Sequence, residues 1–537
     1  MLTAPFTLAL AFTVLDWVVV GLYLGVLLVS GLVLARFEPK GADDYFLGGR
    51  RMPVWAVAFS IIASTLSVAT FLGAPEVSFR GDLTYLSTNI GGLLAVAVVA
   101  AFFIPAFYRH NCTTIYELLE QRFGAPARYA ASAAFMLGRV FASGARIYIA
   151  AIPLAMLFFG DAHSQHWPAL ASAILALSAV AVAYTLIGGI ASVIWTDVIQ
   201  VIVLLGSVVA AIVLLLDRIP ADPSQIIESL RTAGPPNAAS AAGSSKLTVI
   251  DPGLPFNPSS TFTLLTAVFG FSLLNMAAYG ADHDMVQRML TCRSAIRGSA
   301  SIVAAIFMGI PIVALFLIIG LLLHVFYQQP SLMGNVTPIV PAGSGERAFT
   351  TFILHELPSG LRGVMIAGLF AVGLGSLNSA INAMAATAVK DFYVHLRPGR
   401  TERHYLAAGR WATVGWGVVL ALFAIFCIAW KRSSPDTGLI DFALGVMNFA
   451  YSGLLAVFLA ALFTRRGTAR SAIAALVVGF FVVLLLQPAV WTRWAAFIPL
   501  RSGTLADISL AYPWHMLIAT SLAFVTVVAP RNRESGR

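Results

Sequence analysis

Charge is what this sequence has least of. Asp, Glu, Lys and Arg make up 11% of its 537 residues, while 59% are hydrophobic and the mean hydropathy is +0.86. A water-soluble protein of this length needs far more charge to cover its surface, so a soluble enzyme or binding domain is excluded. Cysteine is scarcer still: Cys112, Cys292 and Cys427 show neither metal-ligand spacing nor an evident pairing, which leaves no basis for a disulfide scaffold or a zinc site. Nucleophile elbows, phosphate loops and metalloprotease motifs are absent as well. The net charge of +9 could suggest a nucleic-acid partner, but it is spread over short loops that alternate between rich and poor in Lys and Arg. That alternation is the positive-inside pattern of a membrane protein, and no nucleic acid is expected.

What the chain has instead is apolar runs near or beyond the ~20 residues that span a bilayer. Thirteen are read: 13–36, 53–77, 83–107, 129–158, 168–187, 191–216, 261–281, 299–327, 361–390, 405–429, 438–463, 470–490 and 511–530. The first lacks a basic leader and is too long for a cleaved signal. An all-α polytopic membrane protein follows, a single transmembrane domain over 1–537. Basic loops follow the first run (Arg36, Lys40, Arg50, Arg51), the third (Arg109, Arg122, Arg128), the seventh (Arg288, Arg293, Arg297), the ninth (Arg397, Arg400, Arg403) and the eleventh (Arg465, Arg466, Arg470), and the C-terminal tail holds Arg531, Arg533 and Arg537. These loops belong in the cytoplasm of a cell-membrane protein, with the N-terminus outside, the C-terminus inside, and the linkers 217–260 and 328–360 outside.

Two runs are interrupted by small and polar residues. The second carries Ser64, Thr65, Ser67, Thr70, Gly73 and Pro75; the seventh carries Gly270, Ser272, Asn275 and Gly280. Interrupted helices at matching places in two halves point to an inverted-repeat secondary transporter.

Other polar residues at membrane depth need a reason to be there. In AVGLGSLNSAIN (371–382), Ser376 and Ser379 share a helix face that Asn382 continues. Such a face either packs another helix or offers hard oxygen ligands to a small cation. Asp197 lies inside the sixth run, where a carboxylate is costly unless paired, solvated or set beside a cation path. Arg139 and Arg146, seven residues apart on one face of the fourth run, cannot easily reach the cytoplasmic end. Arg139 could be a structural ion-pair partner, and Arg146, flanked by Ser143 and Gly144, is the better candidate to clamp an anion with its planar fork. Glu76 and Arg80 read as a local i, i+4 salt bridge, and Asp282, His283 and Asp284 with Gln287 and Arg288 as a cytoplasmic helix-end network. Asp16, Asp441 and Asn448 have no evident role.

These segments carry a resemblance. DYFLGGRRMPVWAVAFSIIASTLSVATFLGAP resembles the first core helix of the sodium/solute symporter family and the loop before it. YTLIGGIASVIWTDVIQ resembles the family's fifth core helix, GADHDMVQRMLTCRS the segment after its sixth, GLFAVGLGSLNSAINAMAATAVKDFY its eighth, and YSGLLAVFLAALFTRRGTARSA its tenth with the basic exit. The likeness runs over about residues 15 to 530. It implies a five-plus-five inverted-repeat core within 53–463, an extra helix at 13–36 and two helices at 470–530, acting as a monomer in the lipid bilayer. It implies no catalysis and no cofactor. Sodium is the coupling ion, drawing a small polar solute into the cell by alternating access.

The same resemblance implies ligands. The main sodium site would take carbonyls of Ala63, Leu66 and Val372 and hydroxyls at 375 and 376. The second position is Ser376, but the first is Gly375 where the family commonly has serine, so one hydroxyl is missing and a serine there would restore it. A second sodium site in some relatives would match Asp197, Gly375, Asn378 and Ser379. Solute positions would be Ser67 and Thr70 on core helix one and Asn275 on core helix six, with Arg146 or Arg139 nearby; the sugar carriers' gate aromatic aligns with Ala278, beside Tyr279. This favours an organic anion of the monocarboxylate or sialic-acid kind. A sugar or other neutral solute is the alternative, as is a weakly coupled facilitator or sensor of the same fold.

Overall fold

The computed structural model describes residues 12–35, 47–163, 166–186, 190–233, 245–334, 345, 347–433, 437–500 and 503–530. Arg36, Lys40, Arg531, Arg533 and Arg537 lie outside the described residues, as do 234–244 and 335–344 of the two long linkers. Apart from a two-residue β-ladder (Pro499–Leu500 with Gly503–Thr504), the regular structure described is helical.

In chain order the principal helices are α1 (Val14–Ala35), α2 (Val54–Thr65), α3 (Val68–Arg80), α4 (Thr84–Arg109), α5 (Tyr116–Phe123), α6 (Ala125–Gly160), α7 (Trp167–Thr185) and α8 (Ile190–Arg218). Then follow α9 (Leu264–Ala281), α10 (His283–Leu290), α11 (Ala295–Gln328), α12 (Leu361–Leu396), α13 (Glu402–Arg432), α14 (Leu439–Gly445), α15 (Asn448–Phe463), α16 (Ala469–Leu486) and α17 (Tyr512–Val528). Among the described residues, eight helices are long and apolar enough to cross a membrane, or ten with two bent pairs counted as one span each. The expected first, fifth and thirteenth runs are the apolar helices α1, α7 and α17, whose stretches within the described residues fall just under that length. Several helices start at the Ser, Thr or Asp that sequence chemistry calls for: Thr263, Asp282, Ser294, Thr401 and Thr468 each accept a backbone N–H of the first turn.

The first interruption is a true break. α2 and α3 meet at 62°, with Leu66 and Ser67 extended between them. Thr65 Oγ1 bonds the carbonyls of Ile61 and Ile62 at 3.0 and 3.1 Å, so the Ser/Thr run competes for the backbone in the last turn. The second expected interruption is different. α9 runs on through Gly270, Ser272, Asn275 and Gly280 with π-helical turns at Ala267–Phe271 and Ala277–Ala281, and stops only at Asp282. Its glycines serve packing: a Cβ at Gly270 would press on the Pro513 carbonyl (C 2.8 Å), and one at Gly280 on the Phe103 ring at 2.7 Å. A further bend of 44° separates α14 from α15, where Asn448 Nδ2 donates to Tyr512 O at 2.8 Å.

The loops gather by side. Met52 N bonds Thr291 O at 3.1 Å and Arg122 Nη2 bonds the carbonyls of Thr464 and Arg466 at 3.3 and 3.2 Å, so connections after the first, third, seventh and eleventh runs meet at one end. At the other end, buried Lys246 donates to Ser78 O and Phe79 O at 3.2 and 3.1 Å, and Ala511 N bonds Pro258 O at 2.8 Å. Glu76 pairs with Arg80 at 3.0 Å, as the spacing suggested, and also accepts Leu439 N at 3.0 Å. Burial brings the Lys246 ammonium down to about 8, against the pull of Asp82.

The broken helix is held by a close backbone approach. Ser78 Oγ donates to Leu317 O at 2.7 Å, and a Cβ at Gly320 of α11 would collide with Pro75 O and Ser78 Oγ. Gly320→Ala should therefore lower the unfolding temperature of detergent-purified protein by several degrees, since overpacking against backbone costs about 1–3 kcal/mol. Gly415→Ala on α13, with no atom near its Cβ, should leave that temperature unchanged or slightly raised.

Candidate functional site

Where α2 gives way to α3, the chain opens a cavity of about 140 Å³. Ser67 and Thr70 reach it from the break, Arg146 from α6, and Asn275 and Tyr279 from α9. Four of the five residues expected to hold solute thus share one wall. Ala278 lines it too, beside Tyr279. Asn275 Nδ2 is tied to its own helix through Phe271 O at 2.9 Å, which fixes the carboxamide and leaves its oxygen available. Tyr85, Thr88 and Asn89 of α4 and Met447 at the α14–α15 bend line it as well; the sequence reading did not include them. Only their neighbours in space identify them.

Arg146 is the one charged side chain lining this cavity. No carboxylate pairs with it among the described residues; its guanidinium approaches the Met447 sulfur at 3.8 Å. A guanidinium held inside a membrane without an acid is costly unless the solute brings one. Arg139 is a different case and does not line the cavity. Its Nη2 lies 2.6 Å from Asp282 Oδ1 and 2.8 Å from Asp284 Oδ2, with Nε 3.2 Å from Asp282. Two carboxylates pair with it, as the ion-pair alternative for this residue expects.

That pair is one link of a longer buried chain. Tyr451 donates to the second Asp282 oxygen. Ser379 donates to Asp284 and accepts Arg288 Nη2 at 2.6 Å. Arg288 Nη2 stands 3.4 Å from Asp197 Oδ2, which also accepts Ser60 Oγ at 2.6 Å. The helix-end network expected around Asp282–Arg288 is therefore not confined to a helix end: it joins α2, α6, α8, α10, α12 and α15. Its signal in the sequence is that each charge in an apolar run demands an opposite charge elsewhere, but spacing alone does not pair them.

The cation candidates fall into two groups. Ala63 sits in the last turn of α2 and Leu66 in the break, where carbonyls lack a following helical N–H. α12 packs against both α2 and α3, and Gly373 approaches Val68 with 3.2 Å left for a Cβ. Ser376 Oγ, bonded back to Val372 O at 3.1 Å, lines a small cavity with Val68, Ser143 and Arg146. Gly375 does not join this first group with a side-chain vacancy: a Cβ there would collide with Gln200 Oε1 of α8. The space of the missing hydroxyl is already filled. Asp197 and Ser379 form the second group through Arg288, while Asn378 Oδ1 turns away to accept Thr185 Oγ1 at 3.1 Å.

Comparison with known proteins agrees with this geometry. The profile of the Sodium:solute symporter family matches residues 45–479. The chain is 29% identical over 492 residues to the sodium/sialic acid symporter NanT of Aliivibrio fischeri, covering 90% of this chain and 89% of that one. It is 28% identical to the sodium/sialic acid symporter SiaT of Proteus mirabilis over 86% of this chain and 87% of that one. A solved substrate-bound, outward-open Na+-coupled sialic acid symporter superposes with a TM-score of 0.77 at 25% identity, over 96% of this chain and 98% of that one. A nucleobase-cation-symport family transporter, at 14% identity and a TM-score of 0.53 over 91% and 94% of the two chains, shares the fold. With a profile match over most of its length, and a broken helix facing a polar cavity at its centre, this multi-pass membrane protein belongs to the sodium:solute symporter family.

Proposed function

We propose that this symporter carries a small organic anion, a carboxylate of the sialic-acid kind, into the cell together with sodium. The observation that carries this reading is Arg146: a single guanidinium on the wall of the central cavity, without an acidic partner among the described residues. The solute carboxylate docks on its fork bidentately, and Ser67, Thr70 and Asn275 take up the remaining polar groups. The relatives named sodium/sialic acid symporters support the same class. Sodium is held where α12 crosses the break, by carbonyls of Ala63, Leu66 and Val372 and the Ser376 hydroxyl. The hard oxygen ligands of such a set suit a small cation. The protein acts as a monomer. The basic ends of the loops after the first, third, seventh and eleventh runs cluster together, which supports a cytoplasmic face there, the N-terminus outside and the C-terminus inside.

The direct test is uptake in proteoliposomes of labelled sialic acid, short monocarboxylates and glucose, with and without an inward sodium gradient. Sodium-driven accumulation of an anion is expected. Accumulation of glucose alone would sink the anion reading and favour a neutral solute.

Arg146→Ala should weaken anion binding about ten- to a hundred-fold, the worth of charge-assisted hydrogen bonds of roughly 1.5–3 kcal/mol. Arg146→Lys should recover only part of that, since an ammonium lacks the fork. Thermal stability should stay near wild type in both. Arg139→Ala behaves oppositely: it strips Asp282 and Asp284 of their shared cation, and about 3–5 kcal/mol of stability should go with it. A melting curve of the Arg139→Ala protein that overlays wild type would refute the ion-pair assignment.

A further inference from the structure

At the end where the basic loops meet, α4, α5 and α15 border a second cavity, of about 560 Å³. It shares no lining residue with the central one and lies within the roughly 300–1,000 Å³ range of small-molecule sites. Its two halves differ in chemistry. On one side Phe102 of α4 and Phe463 of α15 are 51% and 48% exposed, and their rings meet edge to face with centroids 5.0 Å apart. Exposed phenyl rings on membrane-spanning helices face hydrocarbon, so this half opens to acyl chains rather than to water.

The other half is a basic rim. Arg109 closes α4 and Arg122 comes from α5. No Asp or Glu lines the cavity. The acids of α5 are engaged elsewhere: Glu120 pairs with Arg128 at 2.7 Å, and Glu117, 3.6 Å from the same arginine, accepts Thr113 N at 2.8 Å. Arg122 donates to the carbonyls of Thr464 and Arg466 and lies over the Phe123 ring at 5.1 Å, held in place but neutralised by no carboxylate. The exposed Arg109 side chain makes no ion pair or hydrogen bond among the described residues.

An apolar slot open to hydrocarbon, with two guanidiniums and no acid at its mouth, complements a lipid whose headgroup is net negative. A zwitterionic headgroup would bring a cation of its own to face those arginines. We propose that this cavity seats an acidic phospholipid of the adjoining leaflet. Its phosphate accepts from Arg109 and Arg122, and the upper part of an acyl chain lies against Phe102 and Phe463. An occupied seat ties two membrane-spanning helices and the amphipathic α5 to the bilayer around them.

The test is thermal stabilisation of the detergent-purified full-length protein, with native mass spectrometry to count retained lipid. Phosphatidylglycerol, phosphatidylcholine of the same chains and inorganic phosphate are titrated in turn. Phosphatidylglycerol should stabilise at a concentration about tenfold or more below that of phosphatidylcholine. Arg109→Gln breaks no contact within the protein and should raise the phosphatidylglycerol midpoint about tenfold. Arg403→Gln, which removes an exposed arginine outside the cavity, should leave it unchanged. Phe102→Ala keeps both charges and should still weaken phosphatidylglycerol binding, because the apolar wall is gone. Equal midpoints for the two lipids, or one phosphatidylglycerol midpoint shared by Arg109→Gln and wild type, overturns the proposal. Inorganic phosphate that stabilises as well as phosphatidylglycerol, in wild type and Phe102→Ala alike, overturns it too and assigns the rim to a free anion.

Discussion

A charge buried among apolar helices must meet its opposite, and much of this structure is arranged around that constraint. Asp197, Asp282 and Asp284 and the arginines Arg139 and Arg288 arrive from α8, the α9–α10 junction, α10 and α6. Separately each would be expelled from the membrane or would destabilise its helix. Together they form a chain in which Ser60, Ser379 and Tyr451 take up remaining valences. Since breaking a buried pair costs more than forming it gains, the network specifies which helices neighbour one another more than it adds stability.

A second Asp–Arg cluster does the same work nearer one end. Arg128 lies 2.6 Å from buried Asp391, which also accepts Ser132 Oγ at 2.5 Å, and it reaches Glu120 at 2.7 Å. It ties the start of α6 and the amphipathic α5 to the far end of α12. α12 is thus tied to the first cluster by the hydrogen bonds of Ser379 and to the second by the ion pair of Asp391. Arg146 stands apart from both clusters, and that isolation is what gives it meaning.

Much of the fold was legible because membrane spans advertise themselves: apolar length, basic loops and a Ser/Thr run at Ser64–Ser67 each have one physical reading. The cavity wall was legible in part: Arg146 is a charge that its apolar surroundings do not explain, and Ser67, Thr70 and Asn275, which the family resemblance implies, line the same cavity. The seventh run misled because glycine has two uses. Gly270 and Gly280 looked like helix breakers, yet they let Pro513 and the Phe103 ring approach, and the helix absorbs them as π-turns. Gly375 reads in the sequence as a lost hydroxyl, and only the structure shows that Gln200 Oε1 stands where its side chain would be. Arg139 and Arg146 have similar sequence surroundings, and only the third dimension assigns carboxylates to one of them. The bend before Asn448 is marked in the sequence only by the single Gly445 that ends α14, too weak a signal to separate it from a packing glycine.

Asp16 illustrates how far such pairing reaches. On α1, its Oδ1 accepts the backbone N–H groups of Gly360 and Gly363 at 2.7 and 3.0 Å, and its Oδ2 accepts the backbone N–H and the hydroxyl of Thr13. The carboxylate therefore closes the open N-terminus of α12 from a neighbouring helix, where α12's own sequence offers only a glycine. An accessory helix that might be taken for a passive lipid anchor is in this way a prosthetic cap. α12 is thus a helix whose first turn is completed by a distant part of the chain.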